Sequence, residues 1–299
     1  MGEEQIIVQL NPDVPPTGSD LSVVNAARRS FGKRSEWVND QEDSSWCNPF
    51  IGESRYEMRH PEFKGILKDK DKRLLEFLAR GMTADDFESF KLEVGSKGLD
   101  WLYYMDNNKE RELLELLWQW RNTPTHDTPF NHGFFSFEIK APIFVRAQLV
   151  KHEYLIMSEY SRRYITDDIE FYEPDVWRGA AEDKKQGSSG EITTSCVMDR
   201  YFEYTHPMFA ARDVQQDALG YYNSMIKAGV APEQARMVLP QSLMTAWTWS
   251  GTLGAFANMC KLRCHPEAQY ESRLVADRVY EELKKQFPVA APLLVEGVY

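Results

Sequence analysis

Cysteine is scarce in this chain, with 4 in 299 residues. That is too few for a disulfide scaffold. Cys260 and Cys264 are close and His265 follows, but Cys47 and Cys196 are far away in sequence, so zinc-finger spacing is missing and free thiols are expected. No apolar run reaches the roughly 20 residues that a membrane span needs. The opening MGEEQIIVQLNPDVPP lacks the basic flank and apolar block of a secretory signal, so none is expected. Positive charge is also short: 35 Lys and Arg stand against 46 Asp and Glu, for a net charge of -11. That balance argues against general affinity for nucleic acid or anionic membrane, while leaving room for a local basic pocket. There is no Gly-x-Ser-x-Gly, no HExxH pair and no phosphate-cradling glycine loop.

What is present is ordinary globular composition, 42% hydrophobic and 27% charged, in a chain long enough to bury a sizeable core. A Pro-rich lead-in precedes a short helix over Ser22 to Phe31, and a charged loop follows from Gly32 to about Pro61. Leu74, Leu75, Phe77 and Leu78 form a helical face, as do Leu113, Leu114, Leu116, Leu117 and Trp120. Phe135, Phe137 and Ile139 alternate with Ser136 and Glu138, which predicts a strand. Pro142 then opens a helix carrying Phe144 to Lys151. KQGSSG, 185–190, reads as a loop. A long helical region covers roughly Thr193 to Lys227, interrupted or kinked near Pro207. Pro232 starts another helix, and the last helix buries Val275, Val279, Leu283 and Phe287. Helices around a small central sheet predict an α+β (mixed α/β) class. No domain boundary is evident, so residues 1–299 are expected to form a single domain.

Three segments gather hydrogen-bonding groups beside apolar runs: HDTPFNHGFFSF from His126, QLVKHEYLIMSEYSRRY from Gln148, and Ala235 to Gln269. On an extended stretch Glu159, Ser161 and Arg163 point to one side. A hydroxyl beside a guanidinium suits a phosphate, although a lone arginine is more often part of a solvated surface. Arg236 and Arg263 adjoin apolar residues, so each either snorkels to solvent or is held inward by an anion. The residues alone therefore indicate an anion site built from scattered arginines.

These blocks, in order, resemble the flavin-dependent thymidylate synthases. Lys151-His152-Glu153, seven residues, then Ser161, Arg163 and Tyr164 follow the family's Arg-His-Arg signature, in a variant with Lys-His that also occurs in phage-borne members. HDTPFNHGFFSFEIKAPIFV, EQARMVLP, LRCHPEAQYE and NAARRSFG are similar to the other family blocks. The resemblance covers the first 32 residues loosely and 126–290 well. It implies methylation of deoxyuridine monophosphate at C5, with methylenetetrahydrofolate supplying the carbon and FAD, reduced by NADPH, supplying the hydride. No enzyme thiol takes part.

By the same resemblance Arg263 lies against the pyrimidine and favours an anionic, enolate-like ring; Arg263 and Ser161 are the expected catalytic residues. Gln148, Lys151, Glu159, Ser161, Arg162, Arg163, Arg236 and Arg263 are expected to bind nucleotide. Ser30, His126, Thr128, Lys151, His152, Glu153, Ser158, Glu159 and Asn258 are expected at the flavin. Glu153 and Ser158 depart from the family's Arg and Asn, and Gly254 replaces a flavin-contacting Arg. Lysine at 151 meets a phosphate as a point charge rather than a planar fork. Residues 40–105, roughly, read as an insertion. The resemblance also implies a homotetramer with shared sites and a cytoplasmic location, in the host if phage-encoded. The altered flavin half motivates one alternative, an enzyme of the same fold that hydroxymethylates or otherwise modifies C5; another, of a different class, is a nucleotide-binding homologue without catalysis.

Overall fold

The computed structural model describes residues 2–38, 65–80, 126–161, 163, 166–181 and 188–296. In chain order the described elements begin with α1 (Gly2–Gln5), β1 (Ile7–Leu10), α2 (Asp20–Arg29) and α3 (Asp69–Arg80). A 3-10 turn, Thr128–His132, leads into β2 (Phe134–Pro142), α4 (Ile143–Leu149) and β3 (Leu155–Glu159). Then come β4 (Arg178–Ala180), β5 (Ser188–Glu191), β6 (Val197–Met198), β7 (Tyr204–Thr205), α5 (Pro207–Lys227) and α6 (Pro232–Ala235). A second 3-10 turn, Arg236–Val238, precedes β8 (Met244–Thr252), α7 (Leu253–Arg263), α8 (Tyr270–Gln286) and α9 (Ala290–Val295). The expected α+β class, helix-rich with a small antiparallel sheet, is what the chain adopts.

By its contacts the chain divides into two compact units. One takes Met1–Pro15, Ser136–Ser250 and Leu262–Val279; the other takes Pro16–Phe135, Gly251–Lys261 and Tyr280–Tyr299. In the first, the main sheet runs in the order β1-β2-β8-β3. β1 and β2 are antiparallel, with Ile7 opposite Lys140 and Leu10 opposite Phe137. The strand read from this alternation forms as β2, with Phe137 and Ile139 buried. Ser136 is buried as well, because its hydroxyl accepts from Asn11 Nδ2 at 3.3 Å and meets the Ser250 hydroxyl at 2.8 Å. A buried hydroxyl without such partners costs on the order of 1–3 kcal/mol.

Two sequence expectations need correction here. The helix anticipated from Thr193 starts only at Pro207, and the residues before it form the small β6–β7 pair. Proline disfavours α conformation in the residue before it and favours the first helical position. His206 then caps the helix, its Nδ1 accepting the Met208 N–H at 3.2 Å. The expected loop over KQGSSG gives way at Ser188 to β5, which pairs with β4.

In the second unit α2 opens with a capping box. Ser19 accepts from the Ser22 N–H and the Ser22 hydroxyl accepts from the Ser19 N–H. Asp20 lies beneath, its two carboxylate oxygens accepting the N–H groups of Val289 (3.0 Å) and Ala290 (2.8 Å) at the start of α9. Burial pushes this carboxyl up to about 6, against the two N–H bonds that pull it down. In α3, Leu75 and Leu78 are buried as expected, but Phe77 is exposed. It stands two residues from Leu75, half a turn round the helix. Fully buried Asp71 joins that inner face, paired to Arg28 and to the Ser35 hydroxyl. Phe135 packs against Phe256 and Phe287 at centroid distances of 6.4 and 5.8 Å.

The predicted stripe is fully buried: Val275, Val279 and Leu283 lie along α8, and Phe287 follows directly after its last residue. Each such side chain contributes roughly 1.5–3 kcal/mol. A further short helix, α9, follows it. The helical face expected at Leu113–Trp120 lies outside the described residues.

Candidate functional site

Everything in this site belongs to the first unit. Pro142, with φ -69 and ψ 155, ends β2 and serves as N-cap of α4. That helix stops at Leu149, before Lys151. Its last turn carries Gln148. The chain then reverses through Lys151, His152 and Glu153 to Tyr154, which takes a left-handed φ of 63 before β3 begins. For a bulky residue this conformation costs roughly 1–2 kcal/mol. The end of α7 contributes Arg263, and the start of α8 contributes Gln269, Tyr270 and Glu271. Together with Tyr172, Arg178 and the inner side of α5 they line a cleft of about 1200 Å³. That volume is ample for a nucleotide.

The cleft is electropositive. Lys151, Arg178 and Arg263 line it against a single carboxylate among the described lining residues, Glu271. Glu271 is committed to Arg178, which donates to it at 2.5 Å, also donates to the Ser188 hydroxyl at 3.0 Å, and lies 4.5 Å over the Tyr270 ring. Arg263 donates its Nε–H to His152 Nε2 at 3.0 Å. Burial, and then the positive charge of Arg263, lower the His152 pKa below its usual value of 6.5. The imidazole is therefore a neutral acceptor at Nε2, with its proton on Nδ1. This fixes one edge of the guanidinium and leaves its two Nη groups without a hydrogen-bond partner among the described residues.

Of the residues expected from sequence to bind nucleotide, the cleft gathers Gln148, Lys151 and Arg263. Glu159 ends β3 and is tied to Arg146 at 2.6 Å and to the Thr245 hydroxyl at 3.2 Å. Ser161 accepts from the Arg163 N–H at 3.4 Å, and neither lines the cleft. Arg236 is exposed on the second 3-10 turn, its Nε donating to the Glu233 carbonyl, and it too lies outside the cleft lining. Arg162 lies outside the described residues.

Of the expected flavin residues, His152 packs beside Arg263, while Glu153 and Ser158 are exposed. Ser30, His126, Thr128 and Asn258 are exposed in the second unit. Also there, a Cβ on Gly254 would meet Asn131 Oδ1 at 2.7 Å, an oxygen already bonded to the Thr252 hydroxyl at 2.6 Å. A side chain at 254 would have to displace that amide.

Sequence reasoning missed Arg178, Gln269, Tyr270 and Glu271 as site residues. The last three carried a signal, since they close the LRCHPEAQYE block. Arg178 carried none, because a lone arginine in VWRGA has no pattern. The described residues hold no group of three His, Cys, Asp or Glu able to bind a metal, and none of their helices is long and apolar enough to cross a membrane.

A helix-rich fold with an antiparallel sheet and a cation-lined cleft of nucleotide size is the setting for three comparisons. The family model described as thymidylate synthase complementing protein matches residues 68–289, so the chain belongs to that family. The match begins inside the stretch 40–105 that reads as an insertion. The chain is 38% identical over 165 residues to a flavin-dependent thymidylate synthase of Thermus thermophilus, covering 55% of this chain and 57% of that protein. It thus spans little more than half the length of that relative. Against the flavin-dependent thymidylate synthase of Thermosipho melanesiensis it is 30% identical over 228 residues, 76% of this chain and 90% of the relative. A solved UMP/dUMP methylase from Streptomyces cacaoi, bound with 5-Br dUMP, shares the fold with a TM-score of 0.58 at 21% identity. That alignment covers 96% of this chain and 94% of the other.

Proposed function

We propose that this chain is a flavin-dependent thymidylate synthase that methylates dUMP at C5, with methylenetetrahydrofolate as carbon donor and NADPH as reductant of FAD. The observation that carries the reading is Arg263 in the cleft beside Gln148 and Lys151, with one edge fixed by neutral His152 and its Nη groups left for a ligand. A guanidinium against a pyrimidine stabilises negative charge on the ring oxygens, and the electron density this favours makes C5 the nucleophilic carbon. Lys151 supplies a point charge for the phosphate. The family blocks at 148–164, 235–240 and 262–271 support the same assignment.

Flavin, when bound, supplies the hydride chemistry. In the second unit Ser30, His126, Thr128 and Asn258 are exposed hydrogen-bonding side chains suited to the polar parts of a flavin nucleotide. In the first, Lys151, His152, Glu153, Ser158 and Glu159 are the positions that the family blocks assign to flavin. Both units, 1–299, act on this reading as one catalytic domain within a homotetramer in the cytoplasm. Half-buried Ser161 and exposed Arg163 and Arg236, with Arg162, would reach nucleotide in sites shared between copies.

The test is direct. The purified protein is examined for a flavin absorption spectrum, given dUMP, methylenetetrahydrofolate and NADPH, and the product is weighed by mass spectrometry. Methylated product is expected. A hydroxymethylated product replaces this reading with C5 hydroxymethylation, and nucleotide binding without turnover replaces it with a non-catalytic homologue.

A further inference from the structure

Four side chains in the first unit form a continuous hydrogen-bonded line into the cleft. Ser272 Oγ donates to Gln148 Oε1 at 3.0 Å, Gln148 Nε2 donates to Gln269 Oε1, and Gln269 Nε2 donates to Glu271 Oε2 at 3.2 Å. Ser272 is fully buried and Glu271 is 5% exposed. Gln148, Gln269 and Glu271 line the cleft.

The direction of this line is dictated from one end. A carboxylate in an ion pair only accepts, and Glu271 pairs with the Arg178 guanidinium at 2.5 Å. Gln269 must therefore turn its NH2 toward Glu271, which leaves its carbonyl toward Gln148. Gln148 must in turn offer its NH2 to Gln269, which places its carbonyl against Ser272, and the Ser272 hydroxyl must donate. A glutamine amide has nearly the same shape either way round, so nothing in packing alone would choose between its two orientations. Here the choice is made by a carboxylate two hydrogen bonds away. With one N–H given to Gln269 and the carbonyl engaged by Ser272, the polar hydrogen that Gln148 retains for a ligand is its second N–H.

We propose that Glu271 and Ser272 are positioning residues that lock the Gln148 amide with its NH2 toward the ligand, making this position selective for a pyrimidine carrying a carbonyl rather than an amino group at C4. The inference rests on the reading of the cleft as a pyrimidine nucleotide site. A donor pairs with the 4-carbonyl of a uracil and leaves the 4-amino group of a cytosine facing another donor, an unpaired contact in a desolvated place. Arg178, which the sequence did not single out, gains a role as the group that anchors Glu271.

The test measures dissociation constants of dUMP and dCMP by calorimetry for the full-length protein and for Glu271→Gln and Gln269→Leu. Glu271→Gln replaces the acceptor-only group by an amide that can also donate, and its fold is checked by circular dichroism; Gln269→Leu cuts the line between Glu271 and Gln148 while leaving the Arg178–Glu271 pair in place. The expected result is preference for dUMP in the native protein, with the dCMP-to-dUMP ratio of dissociation constants falling about tenfold in both variants. A merely structural role would weaken both nucleotides together and leave the ratio in place, which overturns the proposal. A native protein that binds neither nucleotide overturns the underlying reading instead, and the binding arm separates the two failures.

Discussion

Arg263 donates through Nε to Nε2 of His152 at 3.0 Å, a bond that exists only while the imidazole is neutral. The two residues come from the turn after α4 and the end of α7, and the bond orients the one arginine that the family resemblance places against the pyrimidine. Protonation of His152 would replace an acceptor with a second cation facing the first.

A pH dependence follows with a definite sign. The folded-state pKa of His152 is lowered by burial and by Arg263, so the unfolded chain takes up the proton first as pH falls. Stability should be intact above about 6.5 and decline below it, while nucleotide affinity should hold to lower pH, falling only when the imidazole of the folded protein is protonated. His152→Gln keeps a carbonyl acceptor and removes the titration, so thermal midpoints of that variant should lose the part of the acid slope that begins near 6.5. An unaltered slope would show that His152 does not titrate in this environment.

Asp20 predicts the opposite sense in the second unit. Its carboxyl is raised from 3.8 to about 6, so the folded state holds the proton more tightly than the unfolded one. Its contribution to stability is complete at low pH and is lost as pH rises between about 4 and 6. Denaturant midpoints at about pH 4 and pH 7 should differ by a smaller amount in Asp20→Asn than in the native chain. Asp20→Ala should cost about 2 kcal/mol near pH 4, because two N–H groups at the start of α9 lose their acceptor, and less near pH 7.

Asp71→Ala should be among the most damaging substitutions in α3. It removes the buried partner of Arg28 and of the Ser35 hydroxyl. Breaking such a pair from one side costs about 3–5 kcal/mol, since the remaining charge is left uncompensated. Urea unfolding measures it; a loss below about 1 kcal/mol would mean that Arg28 finds water at no expense.

Tyr154→Gly should raise stability by about 1 kcal/mol, because φ 63 suits glycine and strains tyrosine. Tyr154 is 84% exposed, so little burial is lost. A thermal midpoint that fell in the variant would show that the ring has a contact worth more than the backbone strain.

How far these features could be read from sequence depends on their range along the chain. The β2 alternation and the α8 stripe were legible because burial on one face leaves a short-range period. Pro207 and Pro232 were legible as structural punctuation, yet the reach of the helix before Pro207 was overestimated, because the constraint proline places on its predecessor was weighed as an interruption or kink within a helix rather than as its start. Arg263 stood out beside apolar residues as a candidate anion holder, but its role, and those of Gln148 and Lys151, came only through the ordered family blocks. Nothing local says that residues more than a hundred positions apart share a cleft. Arg178 and the Ser272–Glu271 line were illegible for the same reason, since hydrogen-bond direction is a property of the folded arrangement. Gly254 stood out as a departure, and only the structure supplied its neighbour, Asn131.

The central claim is that the Arg263 cleft binds a pyrimidine nucleotide. Calorimetric titration of dUMP into the native protein and into Arg263→Ala tests it most directly. The account predicts that the variant keeps its fold by circular dichroism and loses about 2–5 kcal/mol of binding free energy, as expected when one partner of a desolvated charged contact is truncated. A dissociation constant unchanged by the substitution, in a folded variant, would contradict it.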